Sequence, residues 1–178
     1  MISVQARCSV YEVHDVLFFV RQGKRLGLLQ EESGDCFEKS NFREGLRGEL
    51  ADCGGQYLSL DLSRLEKNNF AESLLTELES VRNVYSRRFS LPLSPSPFIH
   101  RAIVWQRLCD RLIEDEEPQR PTLLVIENFD HADERTRCDV ERLIRFHITH
   151  NIRRTFLMTL QDEDALRPSL RRLVDRRL

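Results

Sequence analysis

Lysine is scarce. Of the 27 basic side chains only Lys24, Lys39 and Lys67 are lysines, and the other 24 are arginines. Neither sign of charge prevails, since 27 basic against 29 acidic residues give a net charge of -2. The whole chain therefore lacks the positive field of a protein held by phosphate contacts alone, and nucleic-acid binding requires a local patch. Long apolar runs are missing as well: Val16 to Val20 is far too short to cross a bilayer, and no small-residue cleavage site follows it. That speaks against a membrane helix or signal peptide and for a cytoplasmic protein. The five cysteines, Cys8, Cys36, Cys53, Cys109 and Cys138, are odd in number and widely spaced, which suits neither a disulfide framework nor a CxxC metal knuckle. Seven glycines and six prolines are too few for a collagen-like or low-complexity chain.

What is present fits one folded domain spanning residues 1–178, with 40% apolar and 31% charged residues. A chain of this length buries roughly 70% of its unfolded surface. Ser9 and Glu12 have capping-box spacing, and Val10, Val13, Val16, Leu17 and Val20 continue as a helical stripe that Gly23 terminates. A strand follows at Arg25–Gln30, then a polar loop from Glu31 to Cys36. Phe42, Leu46 and Leu50 next mark a helix from Lys39 to about Cys53, in which Gly45 and Gly48 each cost about 1 kcal/mol relative to alanine. Gly54-Gly55 signals a turn into a strand carrying Tyr57, Leu58, Leu60 and Leu62 and ending in Asp61-Leu62-Ser63, and Asn69 with Glu72 opens a helix with Phe70, Leu74, Leu75, Leu78 and Val81 inward.

Prolines and serines break the chain over Ser86–Pro97, after which Ser96-Pro97 launches a helix bearing Ala102, Ile103, Cys109, Leu112 and Ile113. The nearly continuous apolar stretch Thr122–Ile126 has the pattern of a strand buried on both faces. A helix with Val140, Leu143, Ile144, His147 and Ile148 inward and Asn151 at its end comes next, then a strand over Arg154–Leu160 and a final helix over about Asp164–Val174. This alternation predicts a three-layer α/β sandwich with a mainly parallel sheet and no internal repeat.

Two segments carry the chemistry. Ser33-Gly34-Asp35-Cys36-Phe37-Glu38-Lys39-Ser40 has the length and ending of GxxxxGK[ST], with Ser33 and Glu38 in the two glycine places. In that loop backbone amides wrap phosphates, the lysine reaches the β/γ oxygens and the hydroxyl holds magnesium. Glu38 opposes this, because it adds a side chain and a negative charge beside the β-phosphate position. The second segment is Leu123-Leu124-Val125-Ile126-Glu127-Asn128-Phe129-Asp130, an apolar strand ending in polar residues, which matches a Walker B strand. There the first acid orients the magnesium shell and the second activates water. Glu127 retains the first ability, but Asn128 cannot act as a carboxylate base.

Together the segments resemble the additional-strand P-loop ATPases, in particular the AAA+ branch with its origin-recognition, transposition-helper and secretion-type members, with degenerate Walker A and Walker B motifs. The resemblance runs from about Val10 to the C-terminus and implies a P-loop NTPase-like fold. It implies a cradle around Gly34, Lys39 and Ser40, magnesium on Ser40 and Glu127, a polar sensor at Thr159 or Gln161, and an inter-subunit arginine among Arg171, Arg172 and Arg176. The chain stops about where the family's fifth core strand begins, so the C-terminal helical lid and its sensor arginine are expected to be lacking.

Elsewhere the signals are thinner. His147 and His150 lie three apart, but no nearby cysteine or acid completes a metal set, and Trp105 reads as core or interface. Two readings follow, with a third beside them. The first is a domain with no cofactor, or weak nucleotide binding, serving as an assembly module with an ATPase subunit or copies of itself. The second is a working ATPase or nucleotide switch using ATP and magnesium, with Glu127, Asn128 or Asp130 in the catalytic centre. The third is a DNA-transaction helper; the arginine-rich tail, with Arg167, Arg171, Arg172, Arg176 and Arg177, offers a patch for nucleic acid or for an acidic subunit.

Overall fold

Two largely apolar strands set the centre of the sheet. In the computed structural model, which describes residues 8–30, 42–65, 69–81, 96–114, 120–174 and 176–177, β3 (Thr122–Glu127) and β4 (Thr155–Leu160) are buried at every position. Strands like these must be covered on both faces. β1 (Leu26–Gln30) pairs with β4, and β2 (Gln56–Asp61) pairs with β3 at the edge, where only alternate residues are buried. The two-residue β5 (Arg176–Arg177) joins β1 at Gly27 and Leu28. All the pairings are parallel, in the order β2-β3-β4-β1-β5.

Alternation along the strands splits the core in two, because successive side chains leave opposite faces. Leu29, Leu123, Val125 and Leu157 meet Val13, Val16, Leu17 and Val20 of α1 (Cys8–Arg21) and Phe42, Leu46 and Leu50 of α2 (Phe42–Asp52). Leu124, Ile126, Phe156 and Met158 face the other layer, formed by α3 (Phe70–Val81), α4 (Pro97–Glu114) and α5 (Glu134–Thr149). The result is the expected α/β sandwich of P-loop NTPase-like form. The connections β1–α2–β2 and β3–α5–β4 are the helical crossovers that parallel strands require.

The helix ends obey local chemistry. Gly23 takes φ +66 just beyond α1, and Asn151 takes φ 54 just beyond α5, as their sequence positions suggest. Asp133 caps α5 by accepting from Thr136 N at 2.7 Å. Gly55 is required for another reason: a Cβ there would lie 2.8 Å from the Pro121 carbonyl oxygen and 2.9 Å from that of Leu50. This close approach lets Gln56 N donate to Pro121 O at 2.8 Å and start the β2–β3 ladder.

Two elements differ from expectation. The inward face of α4 is Val104, Trp105, Leu108 and Leu112, while Ala102 is exposed and Ile113 is 49% exposed. Trp105 fixes that face, packing inward with the Arg142 guanidinium 4.5 Å from its ring centre, and Arg101 clamps Asp139 of α5 at 2.6 Å. The expected terminal helix over Asp164–Val174 is instead a 3-10 turn, Glu163–Ala165, followed by the short α6 (Pro168–Arg171). Pro168 cannot continue a helix from the preceding residues, because it has no N–H and its ring clashes with the turn before it. The polar loop Glu31 to Cys36 and the first residues expected of α2 lie outside the described residues, as does the Ser86–Pro97 break up to residue 95.

His147 belongs to the core. Its Nδ1 donates to Leu143 O at 2.8 Å, its ring meets Phe156 edge-on at 4.8 Å, and burial pushes its pKa down to about 3. The sign follows from linkage: below about 6.5 the unfolded chain takes up a proton that the fold refuses. The contribution is complete above that pH and is lost as pH falls toward 3, reaching about 2 kcal/mol of lost stability at pH 5. In urea unfolding, the native chain is expected to lose that much more than His147→Phe between pH 7 and pH 5. Gly55→Ala is expected to lower the urea midpoint by the equivalent of about 1–3 kcal/mol, the usual range for overpacking.

Candidate functional site

β3 delivers Glu127 to the carboxyl ends of the strands, where open parallel sheets place their ligand crevices. Its side chain is only 3% exposed. A carboxylate so placed needs a cation or several donors, because desolvation penalises the charged form. Arg43, in the first turn of α2, provides one: its Nη2 donates to Glu127 Oε2 in an ion pair. β1 ends at Gln30 and α2 starts at Phe42, with Arg43 placing the first turn of α2 next to the end of β3. Gly34, Lys39 and Ser40 themselves lie outside the described residues, as do Ser33 and Glu38.

The charge of Glu127 is felt nearby. Burial, with Glu127 adding and Arg43 opposing, pushes the Tyr57 hydroxyl up to about 12. Tyr57 also lies under the Arg47 guanidinium, 5.3 Å from the ring centre.

Asn128, the next residue, turns out of the strand with φ 56, in the left-handed region that asparagine tolerates better than most side chains. This turn aims the backbone N–H at Thr159 Oγ1, 3.1 Å away on β4, and the side-chain Nδ2 at Asp61 Oδ1, 2.8 Å away on β2. The amide nitrogen must face the carboxylate, which accepts hydrogen bonds and offers none. Asp61 Oδ1 also accepts from Ser63 N at 3.0 Å and Ser63 Oγ at 2.7 Å, and Arg64 Nε lies 2.9 Å from Oδ2. Burial alone would raise the Asp61 pKa; the hydrogen bonds from Ser63 and Asn128 and the charge of Arg64 outweigh it and hold the group below the ordinary carboxylate value.

Three strand ends are thereby tied together. Asp61, Asn128 and Thr159 form one polar junction across β2, β3 and β4, with the Arg43–Glu127 pair beside it. A cleft of about 570 Å³ opens on the β2 side of this junction, bordered by Arg43, Asp61, Arg64, Glu72 and Glu127. Asp130 sits in the 3-10 turn after Asn128; its Oδ1 accepts from Gln161 N at 3.4 Å and its carbonyl accepts from Arg137 Nη2 at 2.7 Å.

The structure brings some sequence candidates together and leaves others apart. Glu127, Asn128, Asp130, Thr159 and Gln161 are neighbours at the strand ends. Arg171 is exposed at the end of α6 and bridges Asp164 at 2.8 Å, Arg172 is exposed beside it, and Arg176 lies on β5. Arg43 escaped the sequence reading, and Asp61 entered it only as part of the tripeptide that ends the second strand. Arg43 follows Lys39 by four residues, one helical turn, and Asp61 precedes Ser63 with the spacing of an Asx turn; these were the signals available.

No protein-family model matches the sequence, and no curated protein matches it. Solved structures do. A structure of Drosophila ORC bound to DNA is similar with a TM-score of 0.64 and 10% identity, covering 98% of this chain and 30% of that chain. A second, of Drosophila ORC bound to poly(dA/dT) DNA and Cdc6, gives 0.63 and 10%, covering 97% and 29%. A third, of Drosophila ORC bound to AT-rich DNA and Cdc6, gives 0.60 and 11%, covering 97% and 28%. This chain thus spans about 30% of the length of those it resembles. At such low identity the likeness establishes the architecture: an α/β sandwich with an AAA+-like fold.

Proposed function

We propose that this AAA+-like domain has little or no ATP-hydrolysing ability and acts as an assembly module, docking on an ATPase subunit or on copies of itself. The observation that carries the reading is the Arg43–Glu127 pair. A magnesium shell oriented by Glu127 would have to displace a guanidinium already bonded to a carboxylate that is 3% exposed. Asn128 adds to this, since its amide is committed to Asp61 and offers no basic lone pair for activating water. Phosphoryl transfer depends almost wholly on positioned charge, so both features bear directly on rate. Lys39 and Ser40 then remain as a weak anion site at most. The exposed Arg171 and Arg172, with Arg176, are the proposed docking arginines of α6 and β5. The ORC chains that this fold resembles are described in complexes with DNA and, in two cases, Cdc6, which supports a place for the domain in a multi-subunit assembly acting on DNA.

Calorimetric titration tests the first point. Millimolar Mg-ATP is expected to give no saturable heat. Saturable binding that disappears in Lys39→Ala would instead establish the working nucleotide site, with ATP and magnesium as cofactors.

The second point is tested by Asn128→Asp, which restores the acid that a Walker B strand carries there. Aspartate tolerates the left-handed backbone, so the change acts through charge: it removes a donor from Asp61 and sets a second carboxylate against it. The expected loss is about 1–3 kcal/mol at pH 7, the scale of leaving a partly buried acceptor unsatisfied. Denaturant midpoints should show the deficit shrinking as the pH is lowered toward 4, where one of the two carboxyls holds a proton. An unchanged midpoint at pH 7 would mean that residues 61 and 128 do not meet.

A further inference from the structure

A carboxylate taken out of water is neutralised in one of two ways, by a metal ion or by an organic cation. Glu127, with its side chain 3% exposed, pairs with the guanidinium of Arg43. Hydration gives a physical reason for that choice. Magnesium keeps several of its waters when carboxylates bind it and so needs a wet site, whereas a guanidinium is weakly hydrated and always charged. A carboxylate with almost no access to solvent therefore favours the arginine.

The fold delivers Arg43 to this acid. Phe42 and Leu46, which flank it along α2, are buried in the same core as Leu123 and Val125 of β3, so the helix start is fixed against the strand. A second acid stands beside the first: Asp61 is the register partner of Glu127 across β2 and β3, and both border the cleft of about 570 Å³. Arg64 Nε lies 2.9 Å from Asp61 Oδ2. Two carboxylates on neighbouring strand ends make an oxygen-rich pair of the kind that magnesium, manganese and calcium prefer. Here each acid is met by a guanidinium.

We infer that Arg43 is a tethered cation, standing where a divalent ion would otherwise settle on Glu127 with Asp61 beside it, so that the order of the β2–β3–β4 junction needs no metal. The inference rests on the reading of this strand end as unsuited to a metal shell, and it adds a consequence for assembly: the domain offers a partner one fixed arrangement of its strand ends. A cation carried on the chain acts at a high effective concentration and draws no ion from solution. Removing its charge unmasks the carboxylate pair.

Manganese, whose free-ion paramagnetic resonance signal fades on binding, tests this on the full chain without nucleotide. The native chain is expected to leave the signal unchanged and to have the same urea midpoint in magnesium as in EDTA. Arg43→Gln, which removes the charge, is expected to lower that midpoint and to bind manganese saturably, about tenfold more tightly than the native chain, with the midpoint rising as manganese is added. Arg43→Lys keeps a cation and should respond to manganese no more than the native chain does. Adding Glu127→Gln to Arg43→Gln should abolish the gain. Saturable manganese binding by the native chain, no gain in Arg43→Gln, or a gain that survives Glu127→Gln would overturn the inference. If Arg43→Gln is unfolded in EDTA, refolding by manganese supports the inference and failure to refold overturns it. Nucleotide decides the other reading separately: saturable heat from Mg-ATP, in a native chain indifferent to manganese alone, would remove the proposed loss of nucleotide chemistry and leave Arg43 as the tethered cation.

Discussion

A carboxylate at the end of a fully buried strand is a liability until something neutralises it. Glu127 is that group, and the cation that meets it comes from the helix following the Walker A-like segment. Removing one member of a buried pair costs about 3–5 kcal/mol, a large part of the stability of a domain this size. Arg43 is 34% exposed, which tempers the figure, but Glu127 has no comparable access to water. The pair thus fixes where α2 begins relative to β3. The same contact joins two layers of the fold, since α2 covers one face of the sheet that β3 runs through. Charge balance and chain path are therefore linked here: the helix returns an arginine to the acid that ends the strand.

The neighbouring residue shows how that constraint spreads. A strand ending beside a charged pair must turn without exposing its amides, and Asn128 achieves this by adopting φ 56 while placing its N–H on Thr159 and its amide on Asp61. An acid at this position could take the same backbone shape but could not donate to Asp61. The amide supplies the donor that this junction needs, and it ties β2, β3 and β4 together. Asp61, kept ionised by Ser63, Arg64 and Asn128, completes the junction.

The frame was legible where apolar periodicity was strong. Thr122–Ile126 announced a strand buried on both faces, and Phe42, Leu46 and Leu50 announced the face of α2, because each burial pattern is local. On α4 several apolar stripes compete, and the bulk of Trp105 decided among them through a tertiary contact with Arg142 that no spacing reveals. Glu127 and Thr159 were visible as polar ends of apolar strands. The roles of Arg43 and Asp61 were not, since each depends on a partner 84 or 67 residues away. The arginine-rich tail drew attention because its charges are adjacent in sequence, yet Arg171 already answers to Asp164.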